Sequence, residues 1–177
     1  MSSICDGLKI TLFKCNPLCK KDLTIVSKIN SLFRRTSVTS YFKCLSNVDG
    51  KFTFKVPRYL SINFLQEGAF DHVHIDMDMV ASRVGCDVSE LGFTFMDVDV
   101  VTLDSLSLKP NLIKIDVQGA ELDVLKGGCG TISNFRPVIF IEIPDDNNLE
   151  EQLFQFLNID LNYSVKKLAN NFLCLPN

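Results

Sequence analysis

Two acidic residues stand at the ends of two short apolar segments in the second half of the chain. Asp116 ends the segment Leu112–Asp116, and Glu142 lies near the end of the run Val138–Ile143, which prolines bound on both sides. Both segments have the length and apolar character of buried strands. In open α/β sheets, ligands lie outside the carboxyl ends of the strands, and a carboxylate there can accept a hydrogen bond or a proton. The sequence therefore predicts a site with Asp116 at its mouth and Glu142 at the same edge of the sheet.

The residues that follow Asp116 predict a tight turn and then a helix. Gly119 permits the turn or a close backbone approach, and the helix is predicted over Gly119–Lys126. Simpler roles are open for the charged residues of this unit. Asp116 can cap the helix, and Glu121 can complement the helix dipole in the first turn. Strand alternation places Lys114 opposite its isoleucine neighbours, where a lysine is commonly solvated.

A glycine-rich stretch, Gly127-Gly128-Cys129-Gly130, follows this helix. A phosphate loop links a strand to a following helix, whereas this stretch comes after a helix. We therefore interpret it as a helix end.

Alternating apolar residues and turn signals predict the other strands. They are Leu8–Phe13, Ser37–Leu45, Lys51–Val56, Phe93–Leu103, Tyr163–Leu168 and Asn171–Leu175. The second and third should pair as a hairpin, and the continuous run at Val138–Ile143 indicates burial on both faces, as in a parallel sheet. Helical spacing marks Leu23, Val26, Ile29 and Phe33, and again Leu149, Leu153, Phe154 and Leu157. This order predicts a single α/β domain over residues 1–177 with a largely parallel sheet.

Composition excludes several classes of protein. The 177 residues carry a net charge of -3, so neither charge nor any basic stripe favours nucleic acid as a partner. No apolar run reaches the length of a membrane helix, and the first residues lack the pattern of a signal peptide. The expectation is therefore a cytoplasmic protein with no membrane partner, in which the seven cysteines are reduced thiols. Cys15 and Cys19 do not have zinc-ligand spacing.

Both histidines lie in the irregular segment Tyr59–Glu90. His72 and His74, with Asp76, have the donor types of a metal site if this part is a strand. We favour a solvated loop or edge strand, because the spacing alone is weak. No metal is therefore expected.

Three stretches of the second half, taken together, resemble the FkbM family of methyltransferases. They are Val101–Leu106 (VTLDSL), Leu112–Gly127 (LIKIDVQGAELDVLKG) and Arg136–Ile143 (RPVIFIEI). The family pattern has TLDSL, IKIDVEGAE, a helix ending in LKG, and RPV before a buried strand. The order and spacing agree over about fifty residues. The resemblance implies a class I fold, the cofactor S-adenosylmethionine, and methyl transfer to a hydroxyl group, here of a small molecule or a glycan.

The first half matches the family less completely. Phe13–Pro17 (FKCNP) is similar to the family's FEPNP, which ends the second strand, so the first strand and its glycine-rich turn would precede Met1. This alignment leads us to expect an N-terminally truncated domain with a gap in the sheet between the strands at Leu8 and Leu112. Lys14 replaces the family's acid; an ammonium group donates hydrogen bonds to ribose hydroxyls but cannot accept them. Gln118 replaces a glutamate.

By this resemblance, Asp116 is the first candidate for the base or the substrate-orienting group, followed by Glu142 and Glu121. Lys14, Asn16 and Asn47 are the candidate cofactor contacts. Acceptor contacts are expected in the variable segment Tyr59–Glu90, because loops carry specificity. The alternatives are a degenerate, non-catalytic binding or structural module with the same fold, and an unrelated enzyme with a metal at the two histidines. The sequence specifies neither the acceptor nor the oligomeric state.

Overall fold

The structure, a computed structural model, describes residues 8–21, 24–25, 36–71 and 73–177. Several residues that carry predictions lie outside these ranges, namely Cys5, Leu23, Val26, Ile29, Phe33 and His72. The chain divides into two compact units, one of residues 1–44 and 50–100 and the other of residues 45–49 and 101–177. A single domain over 1–177 stays a prediction.

The strands within the described ranges form three sheets. The strands are β1 (Lys9–Phe13), β2 (Ser37–Tyr41), β3 (Cys44–Leu45), β4 (Gly50–Tyr59), β5 (Ile62–Asn63), β6 (Ala69–Phe70), β7 (Leu91–Val101), β8 (Leu112–Ile115), β9 (Val138–Glu142), β10 (Tyr163–Leu168) and β11 (Asn171–Pro176). β1 and β2 pair in parallel. A second sheet has the order β3-β7-β4-β5, with β6 also on β4, and a third has the order β10-β11-β9-β8.

The α-helices that lie wholly within the described ranges are short, and two of them begin at side-chain caps. They are α1 (Met77–Val84), α2 (Glu121–Lys126), α3 (Cys129–Phe135) and α4 (Asn147–Gln155). Asp76 accepts a hydrogen bond from the Met79 N–H at the start of α1, and Asp146 accepts from two N–H groups at the start of α4. Such caps satisfy N–H groups that have no partner within the helix. The carboxylate of Asp76 therefore has a structural role here.

The fold confirms the α/β class. The described strands, however, do not form the single, largely parallel sheet that the sequence predicted. Parallel pairs occur at β1–β2 and β8–β9, whereas β11 runs antiparallel to β9. The predicted hairpin of the second and third strands is wrong, because β2 pairs with β1 and the long partner of β4 is β7. Periodicity identifies strands, but the choice of partner depends on contacts far apart in sequence. β1 and β8 lie in different sheets.

The second unit contains the larger apolar core. One face of its four-stranded sheet packs against the helices, and its fully buried residues include Ile139, Ile141, Leu125 and Ile132. Val138 and Phe140 on the other face of β9 are only half-buried, so the prediction of burial on both faces is wrong for this strand. The alternation follows from the two-residue period of a strand.

The first unit contains a smaller core and a disulfide bond. Ala69, Ile75 and Val80 are buried together. Cys15 and Cys44 are joined by a disulfide with a Cα–Cα distance of 4.4 Å, which corrects the expectation that all cysteines are reduced thiols. The two residues are 29 apart in sequence, and only the packing of the strands brings them within bonding distance.

In the part of the chain that the structure describes, no helix has both the length and the apolar character needed to cross a membrane. A cytoplasmic location remains an expectation.

The glycine after α2 permits a close backbone approach within the second unit. A Cβ atom added to Gly127 would lie 1.9 Å from the carbonyl oxygen of Ser46. The carbonyl of Gly127 also accepts a hydrogen bond of 3.0 Å from the N–H of Asp104. The end of α2 is therefore fixed against two other segments, and the predicted helix termination at this glycine is confirmed, since α2 ends at Lys126.

We predict that Gly127→Ala lowers the free energy of unfolding by about 1–3 kcal/mol, because the added methyl group forces backbone atoms apart. Urea denaturation of the purified chain would measure the change. Gly92→Ala is the matched control, since its Cβ meets only the flexible end of Arg58 at 3.9 Å. Equal effects of the two substitutions would contradict the close approach at Ser46.

Candidate functional site

Two carboxylates meet at the carboxyl edge of the parallel pair β8–β9. Ile115 lies opposite Ile141 in the strand register, so Asp116, which follows β8, comes next to Glu142, the last residue of β9. A hydrogen bond between the two side chains raises the pKa of the Glu142 carboxyl. Two carboxyl groups can form such a bond only when one of them carries a proton. The structure thus brings together the first two candidate catalytic residues.

Lys114, on the same face, forms an ion pair with Asp116, one of these two carboxylates. The Lys114 ammonium lies 2.5 Å from Oδ2 of Asp116, and the two side chains are 53% and 47% exposed. Because alternate residues of a strand share a face, Lys114 and Asp116 project on the same side. Lys114 therefore brings a positive charge to the edge where the two acids meet.

The environment of Glu142 favours its protonated form. The hydrogen bond with Asp116 raises the pKa of Glu142 most, followed by partial burial and the negative charges of Asp116 and Glu121, while Lys114 opposes the shift. A neighbouring like charge disfavours ionisation. Glu142 therefore holds a proton at a higher pH than an ordinary glutamic acid.

The loop between β8 and α2 folds around the carboxylate of Glu121, which is only 3% exposed. The N–H of Val117 donates to Oε1 at 3.1 Å, and the N–H of Gly119 donates to Oε2 at 2.9 Å. Gln118 and Gly119 both have positive φ angles, 55° and 97°, which turn the backbone toward this carboxylate. Glu121 therefore fixes the path of the chain immediately after Asp116.

Of the simpler alternatives, the cap role of Asp116 is wrong, whereas Glu121 does lie in the first turn of α2, where an acid complements the helix dipole. The N-cap of α2 is Ala120, and no side chain caps the helix, so Asp116 is not the cap. Glu121 lies in the first turn, but its hydrogen bonds hold the preceding loop. The catalytic assignment of Asp116, Glu142 and Glu121 stays a prediction.

Of the candidate cofactor contacts, Asn47 belongs to the same unit as these acids. Its Nδ2 donates to the Asp123 carboxylate on α2 at 3.0 Å. The residue is exposed, and its own amide oxygen accepts no hydrogen bond within the described residues. The amide oxygen of Asn47 is therefore available to accept a hydrogen bond from a ligand.

The other two cofactor candidates belong to the first unit. Asn16 is 1% exposed; its Oδ1 accepts from the Leu18 N–H and its Nδ2 donates to the Leu65 carbonyl, both at 3.0 Å. Its amide is thus engaged within the protein. Lys14 follows β1, and its backbone N–H donates to Tyr41. Their binding of a cofactor stays a prediction.

Sequence reasoning missed Lys114 as a partner of the acid pair, although the spacing Lys-x-Asp on a strand places both on one face. It also missed Asp104, which accepts from the N–H groups of Gly130 and Thr131 at the start of α3. Burial would raise the pKa of Asp104, but the hydrogen bonds from Thr131 and Gly130 outweigh it and lower the pKa. No local sequence signal links Asp104 to a helix 26 residues later.

Taken together, the geometry defines an α/β protein with an acid pair at a carboxyl sheet edge. The family model of the methyltransferase FkbM domain matches residues 3–165. The chain therefore belongs to the FkbM methyltransferase domain family.

A solved structure has a similar fold. It is a methyltransferase FkbM from Methylobacillus flagellatus KT, with a TM-score of 0.56 and 15% sequence identity. The alignment covers 94% of this chain and 36% of that chain, so the present chain spans about a third of the solved protein's length. None of the curated proteins compared with the sequence matches it.

We predict that the chain loses stability as the pH rises through the raised pKa of Glu142. Between the ordinary value of 4.5 and the folded-state pKa, the native state binds more protons at Glu142 than the unfolded state, so unfolding becomes easier with rising pH. The Glu142→Gln variant, whose amide still donates to Asp116, should show a flatter profile in this window. Urea denaturation at a series of pH values, with a carbon-13 carboxyl titration by NMR, would test this. Parallel profiles for both proteins would contradict it.

We predict that Glu121→Gln lowers the free energy of unfolding by about 1–3 kcal/mol, because its NH₂ group would face an N–H donor of the loop. Urea denaturation would measure the loss. Glu151→Gln is the control, since Glu151 is an exposed acceptor on α4. If the two variants were equally stable, Glu121 would not hold the loop.

Proposed function

We propose that this chain functions in S-adenosylmethionine-dependent methyl transfer to a hydroxyl oxygen of a small molecule or a glycan. The family supports the reaction class. The observation that carries the site is the hydrogen-bonded pair of Asp116 and Glu142 beside Lys114 at the carboxyl edge of β8 and β9. A class I arrangement of the strands is part of the same proposal, and the order β8-β9-β11 with an antiparallel last strand supports it.

The described residues fit one end of S-adenosylmethionine better than the other. Its positive sulfonium and ammonium groups need acceptor oxygens, which Asp116 and Glu142 supply at this edge. The two ribose hydroxyls need acceptors, which Asn47 can supply through its amide oxygen. Lys14 can only donate, and the amide of Asn16 is already engaged. Asp116, Glu142 and Asn47 are therefore the residues that would hold the cofactor.

The cofactor, when bound, supplies an electrophilic methyl carbon. The carboxylate of Asp116 would accept a hydrogen bond from the hydroxyl of the acceptor, orient its oxygen and take its proton. The ion pair with Lys114 and the hydrogen bond with Glu142 would orient the Asp116 side chain. Glu121 acts indirectly, by holding the loop that follows the base.

The second candidate function is a non-catalytic binding or structural module with the same fold. Two observations favour it. Lys14 cannot replace the family's acid as an acceptor, and the buried amide of Asn16 has both of its polar atoms engaged within the protein. This candidate predicts a folded chain without affinity for the cofactor.

We predict saturable binding of S-adenosylmethionine to the folded chain in isothermal titration calorimetry. We further predict that Asp116→Asn reduces methyl transfer to an active acceptor by about a hundredfold or more, the usual contribution of a general base. The affinity for the cofactor should change less than the rate, because an amide keeps the size and an acceptor oxygen of Asp116. Formation of S-adenosylhomocysteine with a panel of hydroxylated acceptors measures the rate.

Asp99→Asn is the matched control, because Asp99 also forms an ion pair with a lysine, Lys51, at 3.8 Å but belongs to the first unit. It should leave both affinity and rate unchanged. A folded chain that binds no cofactor would favour the non-catalytic module. Binding with an unchanged rate in Asp116→Asn would exclude Asp116 as the base.

A further inference from the structure

The first unit contains a cavity that the proposed methyl transfer does not use. It lies between the loop 63–67 and helix α1 and has a volume of about 290 Å³. Its lining residues are Asn63, Phe64, Leu65, Gln66, Glu67, Val80 and Arg83. All of them belong to the irregular segment Tyr59–Glu90. Small-molecule sites begin at about this volume, so the cavity suits a ligand of about monosaccharide size.

Backbone hydrogen bonds hold the loop that forms one wall of the cavity. The N–H of Phe64 donates to the Pro57 carbonyl at 2.9 Å, and the N–H of Glu67 donates back to Phe64 at 3.1 Å. The buried amide of Asn16 donates to the carbonyl of Leu65. The wall is therefore formed before any ligand arrives, which lowers the entropic cost of binding.

The polar groups of the wall include one fixed donor. The hydroxyl of Thr94 donates to Oδ1 of Asn63 at 2.7 Å, which fixes the orientation of the amide. The Nδ2 group of Asn63 donates to no group in the described ranges. This amide can therefore donate to a ligand.

The wall also contains one hydrogen-bond acceptor, the carboxylate of Glu67, whose charge is balanced by Arg83. Glu67 forms an ion pair with Arg83 through one carboxylate oxygen, and its side chain is 17% exposed. The second oxygen, Oε2, accepts from no group among the residues that the structure describes. Because the guanidinium neutralises the carboxylate, the lining favours a neutral ligand over a charged one.

Phe64, Leu65 and Val80 give the cavity an apolar part. Val80 is 1% exposed, and Phe64 packs against the same small core. A ligand that fits this lining has an apolar face and neighbouring groups that both donate and accept hydrogen bonds. Adjacent hydroxyl groups on a carbon ring have these properties, since each hydroxyl is both a donor and an acceptor.

We propose that this cavity binds a neutral polyhydroxylated ligand of about monosaccharide size, with Asn63 donating to one hydroxyl group and Glu67 accepting from its neighbour. The proposal concerns binding alone and does not depend on methyl transfer. Its test therefore contains no S-adenosylmethionine.

The test is a titration of the full chain, followed by nitrogen-15 NMR, with methyl α-glucoside, methyl α-mannoside and myo-inositol as probes. We expect saturable shifts at residues 63–67 and 80–83 with at least one probe. Asn63→Asp and Glu67→Gln should each weaken that binding about tenfold, the loss expected for one hydrogen bond to a ligand. Cyclohexanol, glucosamine and glucose 6-phosphate test the apolar, cationic and anionic alternatives.

Asn148→Asp and Glu151→Gln make the same chemical changes at exposed positions outside the cavity and should bind as the unsubstituted chain does. Thermal melting establishes that each variant is folded. The proposal is overturned if no polyol gives saturable shifts, if a charged or apolar probe binds more tightly, or if folded Asn63→Asp and Glu67→Gln both keep full affinity.

Discussion

The parallel pairing of β8 with β9 is the interaction on which the candidate site depends. Isoleucines alternate along both strands, and their inward side chains pack under the helices of the second unit. A slip of one residue would turn these side chains to the other face of the sheet, at the cost of the buried apolar surface. The register that burial enforces is the same register that sets Asp116 beside Glu142. Apolar packing thus determines the position of two acids that are not part of the apolar core.

Hydrogen bonds to a buried carboxylate, instead of apolar packing, hold the turn after β8. A buried carboxylate is costly unless hydrogen bonds satisfy it, and the loop N–H groups supply these bonds to Glu121. The backbone adopts positive φ angles at two successive residues in order to reach it. The sequence Asp-Val-Gln-Gly-Ala-Glu therefore joins two acids with different roles. The first is exposed, and the second is buried and holds the loop that follows the first.

The two units offer different chemistry. The second unit carries an exposed cluster of charged groups, with Lys114, Asp116 and Glu142 in contact at a sheet edge. The first carries a neutral cavity whose wall depends on the buried amide of Asn16. A residue that resembles a cofactor contact in sequence thus supports a loop that shapes a different cavity. Catalysis and recognition are proposed for separate parts of the chain.

The sequence by itself determined the strand–turn–helix unit at Asp116, the second acid at Glu142 and the family. The spacing of apolar residues and the local motifs that carry these predictions depend only on residues close together in the chain. The predicted strands occur among the described residues, whereas the helices α1 and α3 were not predicted. The error at β2 and β4 concerned their partners, which local pattern does not specify. Only the tertiary structure decided that Cys15 meets Cys44, that Lys114 pairs with Asp116, and that the amide of Asn16 is buried. These features depend on hydrogen bonds and contacts between segments distant in sequence, which form only when the packed strands and loops bring those segments together.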